Sequence, residues 1–302
     1  SGRNPLAIRA RPYENDGDLR RMQALQQELW ALEGPQVLTH VGDLAWWLHR
    51  GAEEDWNRRL WLDGDRCVAW AWLWPPAALD YDVHPEHRGG SVELEVLEWF
   101  ESEAAGTDLL TTFALEGDAD RLAVLTERGY GASEPLSWYA YHVQELDREL
   151  PDPVVPDGFT LRTVRTAADF HKRVALHRAV WAPSRLTEEG YRKVTSAWPY
   201  RADLDCVVEA SDGTFAAYVL CWFDEENGVG EFEPVGTHPD YRRRGLGAAV
   251  CRYGLRRLQE EGARSAIVYG GGRDEDKRSR ALYESIGFRR HSRAIELRQE
   301  RR

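Results

Sequence analysis

The sequence of 302 residues has no apolar run long enough to span a bilayer, few cysteines and no long polar tract. Its longest apolar stretch, Cys67 to Leu79, carries Trp70, Trp72 and Trp74 and ends in Pro75-Pro76. A membrane helix needs about 20 consecutive apolar residues, so no membrane partner is expected. The chain does not open on a positively charged start followed by an apolar block and a small-residue cleavage site, and secretion is not expected. Cys67, Cys206, Cys221 and Cys251 have neither zinc-ligand spacing nor the density of a disulfide scaffold. They read as reduced core residues of a cytoplasmic protein. None of the nine histidines has ligand spacing, and no metal is expected. What the chain does have is 42% hydrophobic and 11% aromatic residues, enough for sizeable cores, which excludes wholesale disorder. At roughly 150 residues per domain, its length suggests two.

The net charge of −12 is unevenly spread. Residues 1–150 hold 13 Lys and Arg against 28 Asp and Glu, a net of −15; residues 151–302 hold 26 against 23, a net of +3. The stretch 241–302 alone has 17 against 8, a net of +9. An acidic chain with one basic end suits a small polyanionic ligand better than nucleic acid, and no nucleic-acid partner is expected.

Three prolines within Pro151 to Pro156 forbid regular helix and mark an extended linker. The boundaries follow: a first domain over 3–147, a linker over 148–158 and a second domain over 159–302. Both halves begin alike, with an alternating strand (Leu6 to Arg11, Phe159 to Val164) and then an amphipathic helix (Asp16 to Leu32, Ala167 to Val180). Apolar strand regions follow at Leu60 to Leu73 and Asp205 to Phe223. Val83-His84-Pro85-Glu86-His87-Arg88 then stands against Thr237-His238-Pro239-Asp240-Tyr241-Arg242, and Arg128-Gly129-Tyr130 against Ile286-Gly287-Phe288. The pattern is a diverged tandem duplication of one α/β unit.

In the second copy a strand, Gly230 to Thr237, runs through Arg242-Arg243-Arg244-Gly245-Leu246-Gly247-Ala248 into a helix that Gly262 ends. A strand, a glycine-containing turn and a helix start present unpaired amides and a positive dipole end to an anion. The arginines add charge-assisted hydrogen bonds. The P-loop is excluded because Gly-Lys-Ser/Thr is missing, and a dinucleotide fingerprint is weak because Val250 holds the third glycine position.

Arg242-Arg243-Arg244-Gly245-Leu246-Gly247 resembles the pyrophosphate-binding motif of the GNAT superfamily of acyl-CoA-dependent N-acyltransferases, Gln/Arg-x-x-Gly-x-Gly/Ala. A second stretch, Asp276 to Phe288 with Leu282-Tyr283 and Gly287-Phe288, is similar to the family's Asn-x-x-Ala-x-x-Leu-Tyr-x-x-x-Gly-Phe. Asp276 replaces the Asn and Ser279 the Ala, and Gly270-Gly271-Gly272-Arg273 predicts unusual mobility before them. The resemblance covers about 159–300 and, more faintly, the first half, where Ser91 and Glu93 stand in place of the two glycines. Glu93 and Glu95 would oppose a pyrophosphate there. The tandem layout with an active second half is similar to that of the mycothiol synthases.

The resemblance implies two tandem GNAT-like domains of the α/β (α+β) class, each a mixed, mostly antiparallel sheet flanked by helices, the first degenerate. It implies acetyl-CoA as acyl donor, held by Val235, Gly236, Thr237, Arg242, Arg243, Arg244, Gly245, Leu246, Gly247, Ala248, Asp276 and Ser279. Among these, the Val235 amide polarises the thioester carbonyl. At pH 7 a lysine-like amine must lose a proton at a cost of about 4–5 kcal/mol, which calls for a base. The resemblance puts Glu231 in that role, with Glu233 two residues on along one strand face as the reserve; a solvated or ion-paired strand glutamate is the plainer reading of each. Tyr283 matches the tyrosine that gives a proton to the departing thiolate. The expected acceptor is a primary amine of a small molecule, an amino sugar, an aminocyclitol-linked cysteine or an amine antibiotic, acted on by a monomer or homodimer. The alternative is a non-catalytic CoA-binding or ligand-sequestering protein.

Overall fold

A computed structural model describes residues 7–50, 57–273 and 276–301. Two compact units result, and each includes a piece from the other end of the chain. The first comprises Ser1–His40, Glu54–Tyr139 and Ser292–Arg302, the second Val41–Glu53 and Ala140–His291.

The first unit contains β1 (Arg9–Pro12), α1 (Asp16–Glu33), β2 (Asn57–Asp63), β3 (Arg66–Trp74), β4 (Ala78–Val83), α3 (Ser91–Glu103), β5 (Leu109–Leu115) and α4 (Ala119–Glu127). Strands β1 to β4 pair antiparallel in sequence order, and β4 pairs parallel with β5. The sheet continues onto β13 (Arg289–Glu300), whose Ala294 to Glu300 run antiparallel to β5. Its core packs Val96, Leu97 and Phe100 of α3 on the apolar face of β3 and β4.

The second unit repeats the plan with β8 (Phe159–Thr163), α5 (Ala167–Val180), α6 (Glu188–Ser196), β9 (Asp205–Ala210), β10 (Phe215–Asp224), β11 (Val229–Thr237), α7 (Leu246–Glu260), β12 (Ser265–Gly271) and α8 (Lys277–Ser285). Strands β8 to β11 are antiparallel neighbours, β11 pairs parallel with β12, and β7 (Trp138–Glu145) follows β12. The helix α2 (Val41–His49) also belongs to this unit. It packs Ala45 and Trp46 into a cluster with Val174, Tyr191, Val194 and Trp222. Each unit is thus a mixed, mostly antiparallel sheet with helices, the expected fold class.

The duplication extends to side-chain bonds. Arg11 grips Asp18 at 2.7 and 2.6 Å, and Arg162 grips Asp169 at 2.9 and 2.8 Å, each tying the first strand of a copy to its first helix. Asp18 also accepts from the Glu14 amide and Asp169 from the Arg165 amide. His84 and His238 repeat one another as well, each ring accepting from the amide two residues on. All four cysteines are free and buried.

Candidate active site

Strand β11 runs to Thr237 but pairs with β12 only as far as Glu231 opposite Ile267. Beyond Glu231 the two strands part and one edge of β11 is open. A register shift between the pairs Cys221–Phe232 and Val219–Val235 puts a bulge into β11 at the same place. The His238 amide donates to the Ala216 carbonyl of β10 at 2.8 Å. Strand amides alternate in direction, so those of Val235 and Thr237 face the open edge. Gly236 must be glycine here, because a Cβ would lie 2.5 Å from Val180 and 3.0 Å from Tyr218.

The turn after β11 ends in Gly245 at φ 75°, the N-cap of α7. The first-turn amides of α7 have no acceptor within the helix and lie at its positive dipole end. Arg243, at φ 64°, is the one non-glycine in the left-handed region among the described residues, a conformation that costs of order 1 kcal/mol and recurs at functional sites. A Cβ on Gly247 would come within 3.2 Å of the Thr237 hydroxyl, a tight contact to which the hydroxyl must yield by a few tenths of an ångström. Leu246 is buried in the core beneath the turn and Ala248 is half-buried. Arg242, Arg243 and Arg244 are all exposed; Arg242 donates to the Thr237 carbonyl at 3.3 Å and Arg244 to that of Asp240 at 3.5 Å.

Helix α8 carries the second motif. Asp276 is exposed at its N-cap and makes no side-chain cap bond. Ser279 accepts from the Gly271 amide at 2.9 Å and donates to the Asp276 carbonyl at 3.1 Å, so its hydroxyl joins α8 to β12. The expected looseness of the glycine run takes another form: Gly270 and Gly271 are strand residues. A Cβ on Gly271 would lie 2.2 Å from that of Asp276, so glycine serves the close approach of α8. Tyr283 is buried, edge-on to His142 and Phe288. Burial, with the charges of Glu233 and Tyr218 among its neighbours, holds its hydroxyl well above the usual tyrosine range.

Glu231 is 1% exposed at the point where β11 and β12 part. Burial first, then the neighbouring carboxylates of Asp43 and Glu233, hold its carboxyl well above the ordinary range. Glu233 is half-buried; burial raises its proton affinity and the charge of Arg50 opposes the rise. The structure therefore brings both glutamates together, as the strand spacing predicts. It adds groups that sequence reasoning missed, Asp43 and Arg50 of the α2 region and the buried Tyr141 of β7, which stacks on Tyr269 at 4.9 Å. The one signal for Asp43 was a lone acid within the apolar stretch Val41 to Leu48. His177 and the Trp181 indole both meet the Tyr218 hydroxyl, at 2.7 and 2.8 Å. Burial and the charges of Arg173 and Arg50 push His177 down to about 3, so its ring is neutral at pH 7.

The equivalent turn of the first unit is closed. Gly89, at φ 66°, matches Arg243, and its amide donates to the Glu93 carboxylate at 2.6 Å. Tyr81, at the position of Val235, donates its hydroxyl to the same carboxylate at 3.2 Å. Arg121 caps the Tyr81 carbonyl at 2.9 Å and reaches Asp82 at 2.7 Å. Arg88 is drawn into a pair with Glu33. An internal anion thus occupies the place that the second unit leaves free, which shows that this turn geometry fits an anionic group.

Among the described residues no three His, Cys, Asp or Glu side chains are grouped to hold a metal ion, and no helix is long and apolar enough to cross a membrane. Residues 173–288 match the acetyltransferase (GNAT) family. The chain is 27% identical to a mycothiol acetyltransferase of Streptomyces coelicolor over 80% of its own length and 79% of that protein's. It is 26% identical to that of Streptomyces avermitilis over 94% and 92%. A GCN5-related N-acetyltransferase from Sphaerobacter thermophilus shares the fold with a TM-score of 0.63 at 18% identity, over 97% and 95% of the two chains. A tandem GNAT protein from the clavulanic acid biosynthesis pathway does so with 0.64 at 17%, over 97% and 98%. Family match and relatives agree on an acetyl-CoA-dependent acyltransferase, similar to the GNAT family over residues 173–288 and sharing its fold with a tandem GNAT protein.

Proposed function

We propose that the second unit acetylates a primary amine of a small molecule, with Glu231 as base and Tyr283 as acid. The carrying observation is the buried carboxyl of Glu231 at the point where β11 leaves β12, next to the open amides and the vacant-sided turn. Acetyl-CoA, when bound, supplies an acetyl group activated as a thioester. The amides of Val235 and Thr237 are donors for its amide-bearing arm and its carbonyl oxygen, and the first-turn amides of α7 with Arg243 and Arg244 receive its phosphates. Arg242 and Ser279 support that site through the backbone they brace.

A carboxyl with raised proton affinity is a better base for an ammonium group than an ordinary glutamate, because its proton affinity lies nearer that of the amine. Glu231 takes one proton from the acceptor nitrogen, directly or through water. Tyr283 keeps its hydroxyl proton across neutral pH and holds it for the departing sulfur. Glu233, partly offset by Arg50, keeps a second carboxylate beside the acceptor. The mycothiol acetyltransferase relatives favour an aminocyclitol-linked cysteine as first acceptor, followed by amino sugars and amine antibiotics.

Thiol release from acetyl-CoA, measured across a panel of these amines and of peptides with free N-termini, tests the reading. Turnover of a small amine supports it. Turnover confined to peptides would overturn it, and tight acetyl-CoA binding with no turnover would point to the sequestering alternative.

A further inference from the structure

The base of the second unit has a neighbour that the motifs do not contain. Helix α2 is seated on β10 by Gly42, where a Cβ would lie 2.2 Å from the Trp222 ring. Trp222 is the cross-strand partner of Glu231. One turn further on, Trp46 is buried and meets the His177 ring edge-on at 5.3 Å. These two contacts fix the start of α2 over Glu231, and the residue between them that carries a charge there is Asp43, 5% exposed.

We propose that Asp43, drawn from the opposite half of the sequence, is a positioning residue for Glu231: the seating of α2 on Trp222 sets its buried carboxyl beside that of Glu231, where it orients the base and keeps a like charge against it. Two buried carboxyls side by side cannot both ionise freely, so a proton is retained on the pair until the pH is raised. The other groups facing the pair are Glu233 of β11, whose charge acts in the same sense, and the Tyr141 hydroxyl of β7, which burial and both carboxylates keep protonated. Arg50, just past the end of α2, acts on Glu233 and His177 instead. The catalytic unit therefore does not stand on its own half of the sequence.

The inference rests on the acetyl-transfer reading for its functional meaning, but its test does not need turnover. In the full-length protein, infrared titration of the buried carboxyl band, identified as the band missing in Glu231→Gln, follows the proton directly. Asp43→Asn keeps a hydrogen-bonding group and removes the charge. The expected result is a fall of about one pH unit in the Glu231 midpoint, restored by Asp43→Glu, with a matching acidward move of the low-pH limb of kcat/KM and unchanged acetyl-CoA affinity. A midpoint that stays put in folded Asp43→Asn would overturn the inference. If Asp43→Asn fails to fold, Asp43→Ser decides by the same band: a midpoint lowered by about one pH unit supports the shared charge, and a midpoint identical to wild type rejects it. A shifted midpoint in a protein that acetylates no amine would leave the carboxyl pair standing and sink the acetyl-transfer reading alone.

Discussion

The turn at Arg88 to Glu93 and the turn at Arg242 to Gly247 have nearly the same backbone and opposite contents. Both put a residue near φ 65° one position after an arginine, and both lead into a helix across a parting of two parallel strands. In the first, Glu93 fills the amide nest and Tyr81 and Arg121 close the strand edge. In the second, Gly247 keeps the nest clear. A nest of this kind is closed by a few side chains that satisfy its amides from within, and the fold keeps its shape.

Four changes break or sharpen that comparison. Gly247→Glu copies Glu93 into the open turn, and it is expected to remove measurable acetyl-CoA binding by calorimetry while circular dichroism stays native. Retained affinity would show that the nest is not the phosphate site. Glu231→Gln is expected to lower kcat by about two to four orders of magnitude with acetyl-CoA affinity unchanged, read by thiol release and calorimetry. Glu93→Gln weakens the anion that the first turn holds. Chemical denaturation should report a loss of about 1–3 kcal/mol with acetyl transfer unaffected, whereas lost transfer would mean that the first turn takes part.

The smallest effect concerns the bonds that both copies share. The Arg162 guanidinium, against burial, holds the Asp169 carboxyl well below its ordinary value. A carboxyl lowered in the folded state adds stability that is present above its unfolded value of about 3.9 and is lost as pH falls through the lower folded one. Asp169→Asn should therefore cost about 1–2 kcal/mol at pH 7, with the deficit shrinking below about pH 4 in denaturation curves. A deficit that is constant with pH would show that packing and not charge is at work.

Much of this was legible along the chain. Alternation and helical period placed β1, α1, β8 and α5, and the arginine and glycine pattern placed the turn, because these are local properties of a few adjacent residues. The open edge of β11 was not legible, since it depends on where pairing with β12 stops. Neither was the placement of Asp43, which follows from the seating of α2 on Trp222, the strand partner of Glu231. The glycines before α8 misled for a related reason: a missing side chain permits motion in isolation but permits close contact when a helix lies against it, as Asp276 does.

The last strand of the first unit has a consequence for synthesis. Arg293, at its start, bonds Glu116 at the end of β5 across 177 positions of sequence. On the ribosome, β5 must wait for nearly all of the second half to be translated before its neighbour arrives. Until then it presents an unpaired edge, the kind of surface that recruits chaperones or other nascent chains. Shortening the chain by its final dozen residues would thus damage the copy whose gene segment it leaves intact.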